Sequence, residues 1–259
     1  MSFCFGSSRR EPTIWASATS ALALSAPGGI ARAILRKNVL ITGATRVIGA
    51  ACTKALAEAG AALCVVLREP AAGANPNLET VNALPCLCDL GNLTAIMGIF
   101  QLALTVMGGT IDVLVNCAGI HMQRCSPSIS FSEQDWDDVL DVNLKSVWLL
   151  SQAAGQHMVP RRSGKIINFC SLLTFQGGGL GQVTKALSND WSQHNVQVNG
   201  IRSGYVATDM NEKFLADAVR YAADLWTDSN GALEEFARPV VFLREPVYLW
   251  ELLVGWMGR

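Results

Sequence analysis

The run Val39-Leu40-Ile41-Thr42-Gly43-Ala44-Thr45-Arg46-Val47-Ile48-Gly49 constrains this chain more than any other stretch. An apolar, partly β-branched run stops at a glycine turn, and a helical pattern opens at Ile48 and continues to about Gly60. Strand, glycine turn and helix start together aim backbone N–H groups and a positive helix end at a pyrophosphate. The turn reads Gly43-x-x-x-Val47-x-Gly49, and Val47 stands where a glycine would let phosphates reach the backbone.

The rest of the chain repeats apolar strand and amphipathic helix around this unit. Residues 63–67, 84–88, 111–115, 165–169 and 196–201 read as further strands, for a total of six. Helical spacing covers residues 50–59, ended by the C-cap signal Gly60, then 93–106, 133–160 and 181–194. Asn143 falls in the middle of the third, and Pro160 closes it. This alternation predicts an α/β fold, a single Rossmann-like doubly wound parallel sheet with helices on both faces. At 259 residues, one domain over 38–259 is enough to hold the core. Residues 1–37 differ: they are rich in Ser, Ala and Arg, carry Glu11 as their only acid, and are broken by Pro27-Gly28-Gly29. They read as a disordered N-terminal extension. Their composition also suits a mitochondrial transit peptide, so a mitochondrial location is the alternative to a cytoplasmic one.

Charge and cysteine usage narrow the function classes. A formal net charge of −1 without a basic stripe argues against nucleic acid, and no apolar run is long enough for a membrane span. Eight scattered cysteines, embedded in strand and helix patterns, suit buried free thiols in a reducing compartment. Cys86 and Cys88 are read as facing opposite sides of a strand, and three dispersed histidines complete no zinc set, so no metal is expected.

Several motifs in order resemble the short-chain dehydrogenase/reductase family over about residues 38–210. Thr42-Gly43-x-x-x-Val47-x-Gly49 is similar to its cofactor turn, and Asn116-Cys117-Ala118-Gly119 to its Asn-Asn-Ala-Gly motif. The resemblance implies that Gly43, Arg46, Ile48, Gly49, Arg68, Asp89, Asn116, Ala118, Gly119, Val206 and Thr208 bind the cofactor, with Asp89 at the adenine ring. It also implies Ser171 as the catalytic serine and Asn143 as the helix asparagine of a proton relay. The stretches 171–178, 187–191 and 207–212 resemble the sugar-acid branch of 2-deoxy-D-gluconate 3-dehydrogenase and 2-keto-3-deoxygluconate oxidoreductase. The expected reaction is therefore hydride transfer between a nicotinamide and a CH–OH or ketone carbon of a small molecule. NADP is expected ahead of NAD, because Arg46 and Arg68 suit a 2′-phosphate and Leu67 stands where NAD enzymes carry an acid.

One part of the pattern is missing. The family's Tyr-x-x-x-Lys pair begins about 13 residues after the serine, where this chain has Thr184. None of Tyr205, Tyr221 and Tyr248 has a lysine four residues on, and Lys185 fits a later surface position of the same helix. Roughly eleven residues are absent between Gly177 and Leu180 relative to the family pattern. Arg202-Ser203-Gly204 also replaces the usual Ala-Pro-Gly. Three readings stay open: an enzyme of impaired activity, a non-catalytic dinucleotide-binding protein or partner subunit, and a transcript with further codons at this point. The resemblance further implies a homotetramer or homodimer built on the helices at 133–160 and 181–194.

Overall fold

The computed structural model describes residues 37–69, 81–120, 128–171, 178–203, 206, 232–244 and 253–256. The chain divides into a unit Met1–Leu35 and a unit Arg36–Arg259, and every described residue belongs to the second. The extension expected over residues 1–37 lies outside them except for Lys37, as do Thr208 and the three tyrosines.

Seven parallel strands form one sheet in the order β3-β2-β1-β4-β5-β6-β7. They are β1 (Asn38–Thr42), β2 (Ala62–Leu67), β3 (Leu84–Leu87), β4 (Val113–Asn116), β5 (Gly164–Ser171), β6 (Val196–Ser203) and β7 (Leu253–Trp256). The chain moves outward from β1 to β3, then returns to place β4 on the other side of β1. That reversal opens a crevice at the carboxyl ends of β1 and β4, where ligands of such sheets bind.

Side-chain alternation splits the core into two layers. Leu40, Leu114, Ile166 and Val198 face one side, with Ile96 and Phe100 of α2 (Ile96–Val106), Leu150 and Met158 of α4 (Ser146–Arg161), and Leu187 of α5 (Gly179–Trp191). Val39, Ile41, Val65, Val113 and Ile167 face the other, with Cys52 and Leu56 of α1 (Val47–Glu58) and Val240 and Leu243 of α6 (Ala237–Arg244). Because both faces are covered, the central strands read as continuous apolar runs. The doubly wound α/β fold expected from the sequence is the fold found.

Details differ from the sequence expectation. β7 was not expected; it pairs with β6 from Gly200↔Leu253 to Ser203↔Trp256. β4 starts at Val113 and not at Ile111, and Asp112, just before it, ties the strand bottoms together. Its carboxylate accepts from Asn38 N at 3.0 Å and stands 3.6 Å from the Arg161 guanidinium. Cys86 and Cys88 do not face opposite ways: residues two apart in a strand share a face, and both lie in the first core layer. Cys86 Sγ is 3.3 Å from Cys64 Sγ, and all six described cysteines are free.

The expected long helix at 133–160 is three pieces. α3 (Glu133–Leu140) is capped by Ser132, whose Oγ accepts from Asp135 N at 3.0 Å. A π-helical turn follows at Asp141–Lys145, then α4. Pro160 does not close α4, which ends at Arg162 in the left-handed conformation (φ 51°). Among the described residues no helix is long and apolar enough to cross a membrane, and no cluster of His, Cys, Asp or Glu could hold a metal.

Candidate active site

The glycine turn between β1 and α1 forms the floor of the crevice. Gly43 adopts φ +68°, and a Cβ there would stand 2.7 Å from the Ala118 backbone. A Cβ on Gly49 would stand 1.9 Å from the Gly43 carbonyl oxygen, so only glycine allows the helix to begin this close to the turn. Thr42 Oγ1 accepts from both Cys117 N and Ala118 N, at 3.1 Å each, and thereby latches the end of β1 to the segment after β4. Sequence reasoning included Thr42 in the turn but did not foresee this latch.

Val47 takes a left-handed conformation, φ +51°. A β-branched side chain in that region costs about 1–2 kcal/mol. The turn therefore keeps the backbone shape that a glycine would give, at the expense of strain and a side chain at its rim. Arg46 precedes it as the exposed N-cap residue of α1, and Ile48 is half-buried against the second core layer.

Other expected cofactor residues sit along the same edge of the sheet. Asp89 lies exposed just beyond β3, where its Oδ1 accepts from Gly91 N at 2.9 Å. Arg68 follows β2 and pairs with Glu69 at 3.3 Å, both side chains well exposed, so solvent weakens the pair. Val206 is buried in the second core layer. Cys117 stands at the crevice, but burial pushes its thiol up to about 12, which leaves it protonated and inert at neutral pH.

Asn143 lies in the π-helical turn, and such turns often occur at functional sites. Its Nδ2 donates to the Ile120 carbonyl at 2.6 Å, and its Oδ1 accepts from Ile120 N at 2.8 Å. A Cβ on Gly119 would be 3.5 Å from that Oδ1. The amide thus clamps the end of the Asn116-Cys117-Ala118-Gly119 segment to the helix. Ile120, which sequence reasoning passed over, takes both hydrogen bonds through its backbone, and no residue type signals that role.

Below the crevice runs a buried polar chain. Asn116 Nδ2 donates to Asn168 Oδ1 at 2.9 Å and to Ser151 Oγ at 3.3 Å, and Asn168 Nδ2 donates to Thr184 Oγ1 at 3.0 Å. The Thr184 hydroxyl in turn donates to the Leu180 carbonyl at 2.8 Å. The residue at the family's tyrosine spacing is therefore fully buried, with its proton committed to the backbone of α5. It has no proton to give a ligand. Ser171 ends β5, paired in register with Ser203 of β6 at the carboxyl edge of the sheet.

Comparison with known proteins agrees with this geometry. Residues 37–218 match the short chain dehydrogenase family. The gluconate 5-dehydrogenase of Gluconobacter oxydans is 34% identical, with 80% of this chain and 86% of that protein covered. The 2-dehydro-3-deoxy-D-gluconate 5-dehydrogenase of Escherichia coli is 33% identical over 253 aligned positions, covering 86% of this chain and 96% of that protein. That alignment is longer than the part of this chain it uses, so the relative carries stretches absent here. A solved gluconate 5-dehydrogenase from Burkholderia cenocepacia, in complex with NADP and tartrate, superposes with a TM-score of 0.76 at 28% identity, covering 86% and 94% of the two chains.

Proposed function

Because the chain belongs to the short-chain dehydrogenase family, we propose that it is an NADP-preferring oxidoreductase acting on a CH–OH or ketone group of a sugar acid. In this reading its turnover is lowered by the loss of Tyr-x-x-x-Lys. The observation that carries it is the turn in which Gly43 packs too close to the Ala118 backbone, and Gly49 too close to the Gly43 carbonyl, for any side chain, a close approach that suits a bound pyrophosphate. These residues fit a dinucleotide. Gly43, Ile48 and Gly49 would hold its pyrophosphate, Asp89 its adenine, and Asn116, Ala118, Gly119, Val206 and Thr208 its nicotinamide half. Arg46 and Arg68 support NADP over NAD, with the Glu69 pairing reducing the margin. The relatives' names, and the NADP and tartrate of the Burkholderia structure, support the same cofactor and an acidic sugar-like substrate.

The cofactor, when bound, supplies or accepts a hydride. In our reading Ser171 hydrogen-bonds the reacting oxygen as charge develops on it. Asn143 holds the Gly119–Ile120 backbone in place beneath the site, a positioning duty that its two backbone hydrogen bonds support more directly than a water relay. Proton transfer is left to water, since Thr184 cannot serve.

That last point favours a second reading, a non-catalytic dinucleotide-binding protein or partner subunit. Purified chain incubated with NADPH and 5-keto-D-gluconate separates the two. Slow NADPH-dependent formation of a gluconate supports the enzyme, whereas cofactor binding without any product supports the second reading.

We also propose a homo-oligomer, dimer or tetramer, joined through α3–α4 and α5. Trp136 and Trp148 are large exposed apolar side chains on α3 and α4. Leu140, Leu144, Trp148 and Val183 line an open groove between these helices and α5, with Asp137, Asp141 and Lys145 also on its walls. The free thiols of the core fit a reducing, cytoplasmic setting.

A further inference from the structure

Two thiols of the core have no part in the reading above. Cys64 lies on β2 and Cys86 on β3, both in the first core layer, and their sulfurs are 3.3 Å apart. Cys64 pairs in register with Leu84 and Val66 with Cys86, so the thiols meet diagonally between neighbouring strands. Both are almost fully buried. Burial first, and then the hydrogen bond with Cys86, push the Cys64 thiol up, so it stays protonated and unreactive while β3 is seated. β3 is the strand most easily unseated. It has four residues, stands at the end of the sheet and, among the described residues, pairs with β2 alone. Weakly held elements of this kind open locally well below the free energy of global unfolding.

The two strands also lead into the site. β2 runs on to Arg68 and β3 to Asp89, the residues assigned above to the adenosine end of the cofactor. A disulfide holds its sulfurs about 2.05 Å apart, so bonding these two draws β3 toward β2 and displaces the start of the Asp89 turn. We propose that Cys64 and Cys86 form a redox-sensitive pair, which a peroxide converts into a disulfide between β2 and β3 that weakens cofactor binding. One sulfur attacks the peroxide, giving a sulfenic acid and a first water; the other thiol then displaces the hydroxyl from that sulfur, giving the S–S bond and a second water. Each sulfur gives up one electron, and the peroxide takes both together with the two thiol protons. The binding half of the proposal rests on the dinucleotide reading above.

The test treats the full chain with hydrogen peroxide and follows thiol content in denaturant, the masses of proteolytic peptides, and NADPH affinity by calorimetry. The peptides of Cys64 and Cys86 should become joined with loss of two hydrogens. NADPH affinity should fall at least about tenfold, the worth of one charge-assisted hydrogen bond, and dithiothreitol should restore it. Cys64→Ala and Cys86→Ala should each keep their NADPH affinity after peroxide, whereas Cys88→Ala should respond as the parent does. Cys64→Ser and Cys86→Ser decide the matter if the alanine variants do not fold. The proposal is overturned if the two peptides stay unlinked, or if they link and NADPH binds as before. A reduced parent that binds no NADPH refutes the dinucleotide reading instead, a separate result from peptides that fail to join.

Discussion

Val47 shows how one residue can keep a backbone shape and tax it. Its φ of +51° costs about 1–2 kcal/mol for a β-branched side chain. Replacement by glycine relieves this but adds about 0.5–1 kcal/mol of chain entropy. Val47→Gly should therefore raise stability by about 0–1.5 kcal/mol while tightening NADPH, read by denaturant titration and calorimetry. Equal NADPH affinity in parent and variant would show that the valine does not obstruct the phosphates. Thr184→Val makes the opposite point. It leaves the buried Asn168 amide without its acceptor and should cost about 1–3 kcal/mol, with no change in any residual turnover. A selective loss of rate would restore Thr184 as a proton donor. The turn glycines were legible in the sequence because no other residue satisfies their geometry. Thr184's role was not, since a threonine at a given spacing says nothing of where its hydroxyl points.

Elements were legible where burial dictates pattern. β1, β2 and β4 are apolar because helices cover both faces, whereas the alternation of strand and helix does not fix their order in the sheet, with its reversal after β3. The split of residues 133–161 was hidden, because Asn143 distorts the helix through a hydrogen-bonded clamp on Ile120, a partner 23 positions away. β7 was hidden because its pairing with β6 is long-range, and four residues carry too little pattern. The packing of α4 on α5 rests on another glycine. A Cβ on Gly155 would stand 2.7 Å from the Trp191 ring, so Gly155→Ala should cost about 1–3 kcal/mol by overpacking, measurable as a lower urea midpoint. At the base of α4, His157 Nε2 contacts Arg161 at 2.7 Å and accepts from Ile111 N at 3.3 Å. Burial first, and then Arg161, hold its pKa below the ordinary value. The unfolded chain therefore takes up this proton first as pH falls. The stability from neutral His157 is complete above about pH 6.5 and is lost as pH drops through its folded pKa. His157→Gln should remove that part of the acid loss when midpoints at pH 7.5 and 5.5 are compared. An unchanged difference would exclude His157 as its source.

At the scale of the whole molecule, the groove beside Trp148 predicts association through α3–α4 and α5. Sedimentation at micromolar concentration should show a dimer or larger, and Trp148→Glu should shift it toward monomer; a monomeric parent would refute this interface. In the function proposed above, the site binds NADP and an acidic sugar but lacks its proton donor. A positioned acid contributes about 10²–10⁴-fold, or about 3–5 kcal/mol. The most direct measurement is NADPH oxidation with 5-keto-D-gluconate, by the purified chain and by a version with a family-type Tyr-x-x-x-Lys segment inserted between Gly177 and Leu180. The parent rate should be at least about a hundredfold below that of the inserted version, and Ser171→Ala should abolish the recovered rate. A parent chain that already turns over as fast as the inserted version would contradict it.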